Sequence, residues 1–304
     1  MNKIVLGVTT NPDKDSDDGT PARLDIREIR PLTSDEYKKF KKACSNLNLI
    51  NKKLDLFKLV NHNFKDYNVE KTFHFDQYIQ NHQMHPAIAE NIMLNLNRRV
   101  VNYLTAVKTF LDHSRTDLTH EYGKDSQQVK DFDDLTSDKF DSFFAYRFII
   151  KLRNYVQHCG FPLGSVDIGA KQNKNDPSKV IYHMDILINR DEILENFNWK
   201  KLKPEIENLP KNFSIEACLE KMNKCIAEIT FHLFQNDIDQ ATESSNYLSN
   251  LINETQKYDG MPGIFKLEKI TSKGGNMQLE DFPIHTMKVV DYLNKFRSNP
   301  LSKI

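Results

Sequence analysis

Arg153, Asn154 and His158 are the residues whose types and spacing suit phosphoryl chemistry. An imidazole titrates near neutrality, so it can take or give a proton at a ribose 2′-hydroxyl or a leaving 5′-oxygen. A guanidinium presents a planar fork of donors that matches phosphate oxygens and stabilises charge developing on them. With an amide to orient the ring, these parts are sufficient to cleave RNA without a metal. Arg153 and His158 are five positions apart. On an α-helix that spacing is about 140° of rotation and about 7.5 Å of rise, so the two border one concave surface where the helix lies at a groove or pairs with a copy of itself. Asn154 precedes His158 by four residues and shares its face. His158 falls in the last turn before Gly160, where free carbonyls favour a cationic ring. The plain alternative is that Arg153 snorkels or pairs with an acidic neighbour and His158 caps those carbonyls.

The element that must position this trio is a helix over about 138–159, capped by Thr136-Ser137-Asp138 and stopped by Gly160 and Pro162. Phe140, Phe144, Phe148, Leu152 and Tyr155 form its stripe, widened by Phe143 and Ile150, which marks a central helix. A second strong helix starts at Pro86 and carries Ile88, Ile92, Leu96, Val100, Tyr103, Val107 and Leu111 on one face. Its polar side holds Arg98, Arg99 and Asn102. Packed beside the 138–159 helix, it could bring Arg98 or Asn102 to the same cleft as a substrate phosphate contact, the alternative being that this polar side is a solvated helix face.

Ten arginines and ten histidines give an Arg-x4-His spacing about 0.3 times by chance, so context carries the argument. In that context the segment Arg153-Asn154-Tyr155-Val156-Gln157-His158 resembles the HEPN superfamily. Ribonucleases of that family place Arg, four to six residues and then His on a late helix of a helical bundle, commonly with a polar residue after the Arg. The resemblance covers the helical core from about 88 to 258. It implies a metal-independent endoribonuclease with Arg153, Asn154 and His158 as its catalytic set, acting as an RNase toxin or antiphage effector. It also implies RNA as substrate, a homodimer in which two copies build one cleft, and an antitoxin or defence-complex protein as a further partner. Some members of the family lack catalysis. The competing expectation is therefore a non-catalytic interaction or sensor subunit of a bacterial defence complex, followed by a nucleotide-binding regulator.

The rest of the chain reads as decoration of that bundle. Strand-like runs lie at Ile4 to Val8 and Leu24 to Ile29, with an acidic linker between them. Thr33-Ser34-Asp35-Glu36 opens a helix over about 34–46, and 60–85 stays unassigned. Between 162 and 193 the period turns to alternation, which predicts an inserted β-hairpin. Helices follow at 214–235, about 238–258 and Ile284 to Phe296. The fold class is mainly α: a helical bundle with an inserted β-hairpin and a small mixed N-terminal layer. The domains are 1–85, a small mixed α/β region, and 86–304, the helical core.

Composition excludes several classes. With 39% hydrophobic and 28% charged residues the chain is a folded protein rather than a disordered one. The 42 basic residues balance 42 acidic ones, which disfavours nonspecific coating of nucleic acid and requires any RNA contact to be local. No apolar run reaches membrane-spanning length, and the scattered Cys44, Cys159, Cys218 and Cys225 fit free thiols, so the expected compartment is the cytoplasm. His74, His82 and His85 with Asp76 form a weak candidate for metal ligation. Gly260-Met261-Pro262-Gly263 and Lys273-Gly274-Gly275 read as turns, lacking the pattern of a phosphate loop. No metal and no cofactor is expected.

Overall fold

The computed structural model describes residues 3–10, 25–173, 176–235, 237–267, 277–288, 290–291 and 293. In chain order its elements begin with β1 (Lys3–Thr10), β2 (Asp25–Pro31), α1 (Ser34–Asn81), α2 (Pro86–Tyr122), α3 (Gln127–Ser142) and α4 (Phe144–His158). Then come β3 (Ser165–Asn173), β4 (Asp176–Asn189), α5 (Arg190–Asn196), α6 (Lys203–Glu207) and β5 (Asn212–Ser214). The chain continues with α7 (Glu216–Gln235), α8 (Ile238–Thr255), β6 (Met261–Leu267), β7 (Met277–Asp281) and α9 (Ile284–Met287). The fold is mainly α with two small antiparallel sheets. No helix among the described residues is long and apolar enough to cross a membrane.

Two units emerge, one of Met1–Lys53 with Phe234–Asn299 and one of Leu54–Leu233 with Pro300–Ile304. Residues 1–85 are thus shared between the units, and the first unit also draws on the C-terminal third of the chain. Its sheet has the order β2-β1-β6-β7. As an inner strand, β1 is buried on both faces, with Val5, Leu6 and Val8 inaccessible to solvent, which explains its unbroken apolar run. Gly7 sits at a register shift in the β1/β2 ladder, where an added Cβ would lie 2.7 Å from the Arg27 carbonyl oxygen. A glycine is needed for that approach. The expected turn at Gly260-Met261-Pro262-Gly263 is only partly one: Gly260 turns at φ +126°, and the next three residues already belong to β6. Lys273-Gly274-Gly275 lies outside the described residues, as does the linker Asn11–Asp18 and most of the expected tail helix beyond α9.

Helix α1 begins with the capping box read from the sequence. The Glu36 N–H donates to Thr33 Oγ1 (3.2 Å) and the Thr33 N–H to Glu36 Oε2 (2.8 Å). Instead of stopping near 46, the helix runs unbroken for 48 residues. Its buried stripe is Phe40, Ala43, Leu47, Ile50, Leu54, Phe57 and Val60, continued by Tyr67 and His74. Past Val60 the inward positions turn amphipathic while Val69 and Phe73 face solvent, so the apolar period fades although the helix does not.

In the second unit, α2 starts at Pro86 as expected and buries Ile92, Leu96, Val100, Tyr103, Val107 and Phe110. It extends to Tyr122, absorbing part of the polar stretch that follows. The single helix expected over 138–159 is two helices. Ser126, not Thr136, caps α3 by accepting from the Val129 N–H, while the Thr136 hydroxyl bonds back to the carbonyls of Phe132 and Asp133. Phe143 is extended (φ −123°, ψ 117°) and separates α3 from α4. Arg147 supports the break: its Nη1 donates to the Phe140 and Asp141 carbonyls (2.7 and 2.6 Å), which α3 leaves without helical partners. The Phe143 ring meanwhile lies under Lys221 Nζ at 3.5 Å.

The inserted hairpin is β3/β4, joined by β5 in the order β3-β4-β5. Met184, Ile186 and Ile188 point inward, in the alternation the sequence carries. Trp199 stacks on Phe148 and Tyr155 of α4 (centroids 5.6 and 6.1 Å) and donates its indole N–H to Ile193 O. This aromatic block holds the inner face of α4.

All four cysteines are free: Cys218 and Cys225 are buried on α7, Cys44 is half-buried and Cys159 is exposed. Burial pushes the Cys218 thiol up to about 11, because the thiolate would lose its hydration. A thiol raised in the folded state stabilises fully below its unfolded pKa, and that contribution is lost as pH climbs towards the folded value. Stability is therefore expected to fall between about pH 9 and 11, as Cys44, also pushed up to about 11, adds in the same sense. Urea titrations across this window should give a shallower decline for Cys218→Ala than for wild type.

Candidate functional site

The last two turns of α4 carry the residues singled out by their chemistry. The Cys159 N–H donates to Tyr155 O (2.8 Å) and ends the helix. Gly160 follows with φ +148°, a positive value suited to glycine but distant from the left-handed cap expected of it. The loop beyond is held by Asn97 of α2, a buried amide whose Nδ2 donates to Leu163 O (3.2 Å) and whose Oδ1 accepts from the Leu163 N–H (3.0 Å). The Gly164 N–H donates to Leu187 O, and the Cys159 thiol reaches Asn196 O at 3.1 Å. The end of α4 is therefore tied to α2, β4 and α5. Replacing Asn97 by Leu strands a buried N–H and a buried carbonyl and is expected to cost about 2–3 kcal/mol, read as a lower urea midpoint at unchanged m.

At this end Arg153 is half-buried. Its Nε is enclosed without a hydrogen-bond partner, and its Nη1 lies 3.5 Å from Asn154 Oδ1. Among the described arginines, Arg30, Arg99, Arg115, Arg147 and Arg190 each hold a carboxylate. Arg153, like Arg27 and Arg98, holds no carboxylate of a described residue, so the plain alternative of an ion-paired Arg153 is not what the described residues contain. His158 is exposed and makes no hydrogen bond to a described residue, and the cap hydrogen bond at Tyr155 O comes from Cys159 instead. Asn154 is placed differently from the expectation. Its oxygen serves the guanidinium, and no hydrogen bond joins it to the imidazole.

The expected substrate contacts on α2 are exposed and share no hydrogen bond or ion pair with the α4 trio. Arg98 Nη2 lies 3.5 Å from Asn95 Oδ1, and Asn102 has no partner among the described residues. Their neighbour Arg99 is engaged with Glu70 (3.0 Å) and Asp66 (3.6 Å) of α1. Sequence reasoning missed Asn97. The available signal was a polar residue four before Val101 and three before Val100, on the side of α2 that turns inward.

Concave surfaces occur elsewhere in the second unit. One of about 370 Å³ is lined by Lys108, Asp112, Arg115, Phe132, Asp133 and Tyr146, and one of about 500 Å³ by Phe64, Tyr67, Asn68, Lys71, Glu216 and Glu220. Their cations are already paired, Arg115 with Asp133 (2.7 Å) and Lys71 with Glu216, so neither offers a spare positive charge to a phosphate. Neither is lined by Arg153, Asn154 or His158.

The histidine candidates for metal ligation do not converge. His74 Nε2 lies against Glu70 Oε1 (3.2 Å), and His82, at φ +52° just past α1, stacks on Tyr182 with centroids 5.7 Å apart. The described residues bring together a different set, Asp167, His183 and Asp185 of the hairpin, whose ligand atoms all lie within 4.8 Å of one another. Compared with known proteins, the chain matches no protein family, no curated protein and no solved structure.

Proposed function

We propose that the chain is a metal-independent endoribonuclease resembling the HEPN superfamily, acting on RNA in bacterial defence as a toxin or antiphage effector. The observation that supports this reading is the pairing of a guanidinium without a carboxylate and an unengaged, exposed imidazole at one end of a tethered helix. In this scheme His158 accepts the proton of the ribose 2′-hydroxyl, whose oxygen attacks the adjacent phosphorus. The 5′-oxygen leaves with a proton delivered by water, and a 2′,3′-cyclic phosphate remains. Arg153 stabilises the charge on the non-bridging oxygens. Asn154 orients the guanidinium rather than the ring. Two copies of the chain meeting at the ends of their α4 helices would set His158 of one beside Arg153 of the other, with Arg98 and Asn102 available for backbone contacts further along the RNA.

The test is incubation of purified protein with labelled RNA in EDTA, comparing wild type with Arg153→Ala and His158→Ala. Cleavage by wild type alone supports the reading, while equal cleavage by all three removes these residues from the mechanism. Absence of cleavage throughout favours a second reading, a non-catalytic interaction subunit. For that role the exposed Val180 and Ile181 of β4 and Phe161 after α4 offer apolar surface to a protein partner.

A further inference from the structure

The hairpin carries a second arrangement that the chemistry at α4 does not use. Asp167 of β3 and Asp185 of β4 are direct partners in the ladder, and the next pair along the same face is Gly169 opposite His183. This face is the one turned away from the buried Met184, Ile186 and Ile188. Like charges directly opposite one another destabilise a strand pair, and the ladder holds these two carboxylates together by its backbone rather than by choice of rotamer. Glycine at 169 leaves the imidazole room to lie inward across β3, since a Cβ there would come within 3.1 Å of His183 Cε1. His183 Nε2 then stands 3.7 Å from Asp167 Oδ2, and its Nδ1 is enclosed with no hydrogen-bond partner.

From this geometry we infer that Asp167, His183 and Asp185 form a binding site for a divalent transition cation, with Zn²⁺ the preferred ion. Ligand atoms around such an ion are about 3–4 Å apart at metal–ligand distances near 2.1 Å, so atoms already within 4.8 Å of one another need only side-chain rotation to close on it. Two carboxylates bring two negative charges that a divalent ion cancels, which removes the repulsion built into the Asp167–Asp185 pair. The imidazole sets the selectivity: nitrogen ligation favours Zn²⁺ over Mn²⁺ and strongly over Mg²⁺. Three protein ligands leave further positions for water. The ion ties β3 to β4 across their exposed face and fixes the register of the hairpin. This inference is independent of the ribonuclease reading, because none of its ligands belongs to the α4 trio.

The test is calorimetric titration of the chelator-stripped full chain with Zn²⁺, Mn²⁺ and Mg²⁺, repeated on His183→Ala, Asp167→Asn and Asp185→Asn. Circular dichroism before titration checks that each variant is folded. One Zn²⁺ site is expected to weaken about 100-fold in His183→Ala and at least about tenfold in each Asn variant, with wild-type affinity falling from Zn²⁺ to Mn²⁺ to Mg²⁺. Zn²⁺ isotherms of folded variants that superimpose on wild type would assign any binding to other histidines or thiols and overturn the inference. Equal affinity for Mg²⁺ and Zn²⁺ would overturn it as well, by removing the imidazole from the site.

Discussion

Truncating either partner of the Lys53–Asp237 pair is expected to destabilise the first unit by about 3–5 kcal/mol, the usual cost of leaving a buried charge without its counter-ion. Lys53 Nζ lies 2.9 Å from Asp237 Oδ2, with side chains only 5% and 8% exposed. Lys53 lies between the buried Ile50 and Leu54 on the inward side of α1 and is itself buried. Asp237 immediately precedes α8, where an aspartate ordinarily caps the helix. Here its side chain makes no such cap, and the carboxylate faces Lys53 instead. Urea unfolding of Lys53→Met and of Asp237→Ala should each show the loss. The double replacement Lys53→Met with Asp237→Leu should recover most of it, because well-packed apolar residues often match or exceed a buried ion pair. Losses below about 1 kcal/mol in both single variants would mean that water reaches the pair.

How far the sequence announced this architecture depended on whether an element's partners are local. The stripe from Ile92 to Phe110 repeats every three to four residues, and α2 is where that period predicts a helix. The alternation in β4 was equally plain, because a half-buried strand writes its period into its own residues. Helix α1 was legible only as far as its inward face is apolar. Beyond Val60 it is held by groups such as Tyr67 and His74, which a hydrophobic period does not count. The break at Phe143 was hidden for another reason: the guanidinium of Arg147 and the ammonium of Lys221 that support it belong to other positions. In the same way the trio on α4 could be named from spacing within one helix, whereas the absence of an acid beside Arg153 could not. The Asp167–His183–Asp185 set depends on the register of β3 against β4, and a slip of one residue would send His183 to the other face.

The same distinction between one helix and several chains decides the largest functional effect. If the chain cleaves RNA as proposed, His158→Ala is expected to lower the single-turnover rate by about 10²–10⁴-fold, the usual contribution of general acid–base catalysis. Arg153→Ala should lower it by about 10²–10³-fold through lost stabilisation of phosphoryl charge. Arg153→Lys should recover only part of that loss, since an ammonium keeps the charge but not the planar fork. His158 is exposed and without a hydrogen bond to a described residue, so its replacement should leave the urea midpoint unchanged and isolate chemistry from folding. Combining Arg153→Ala with His158→Ala should cost little more than the worse single change, as for groups that act as a unit. A His158→Ala rate within about threefold of wild type in EDTA would end the proposal. Mixing the two single variants then separates a shared cleft from a self-contained one. Where Arg153 of one copy works with His158 of the other, each mixed dimer holds one intact site and one doubly damaged site. Co-refolded equal amounts should regain about a quarter of wild-type activity, half the dimers being mixed and half of their sites intact. Where both groups act within one chain, every site in the mixture lacks one of them and activity stays at the level of the single variants.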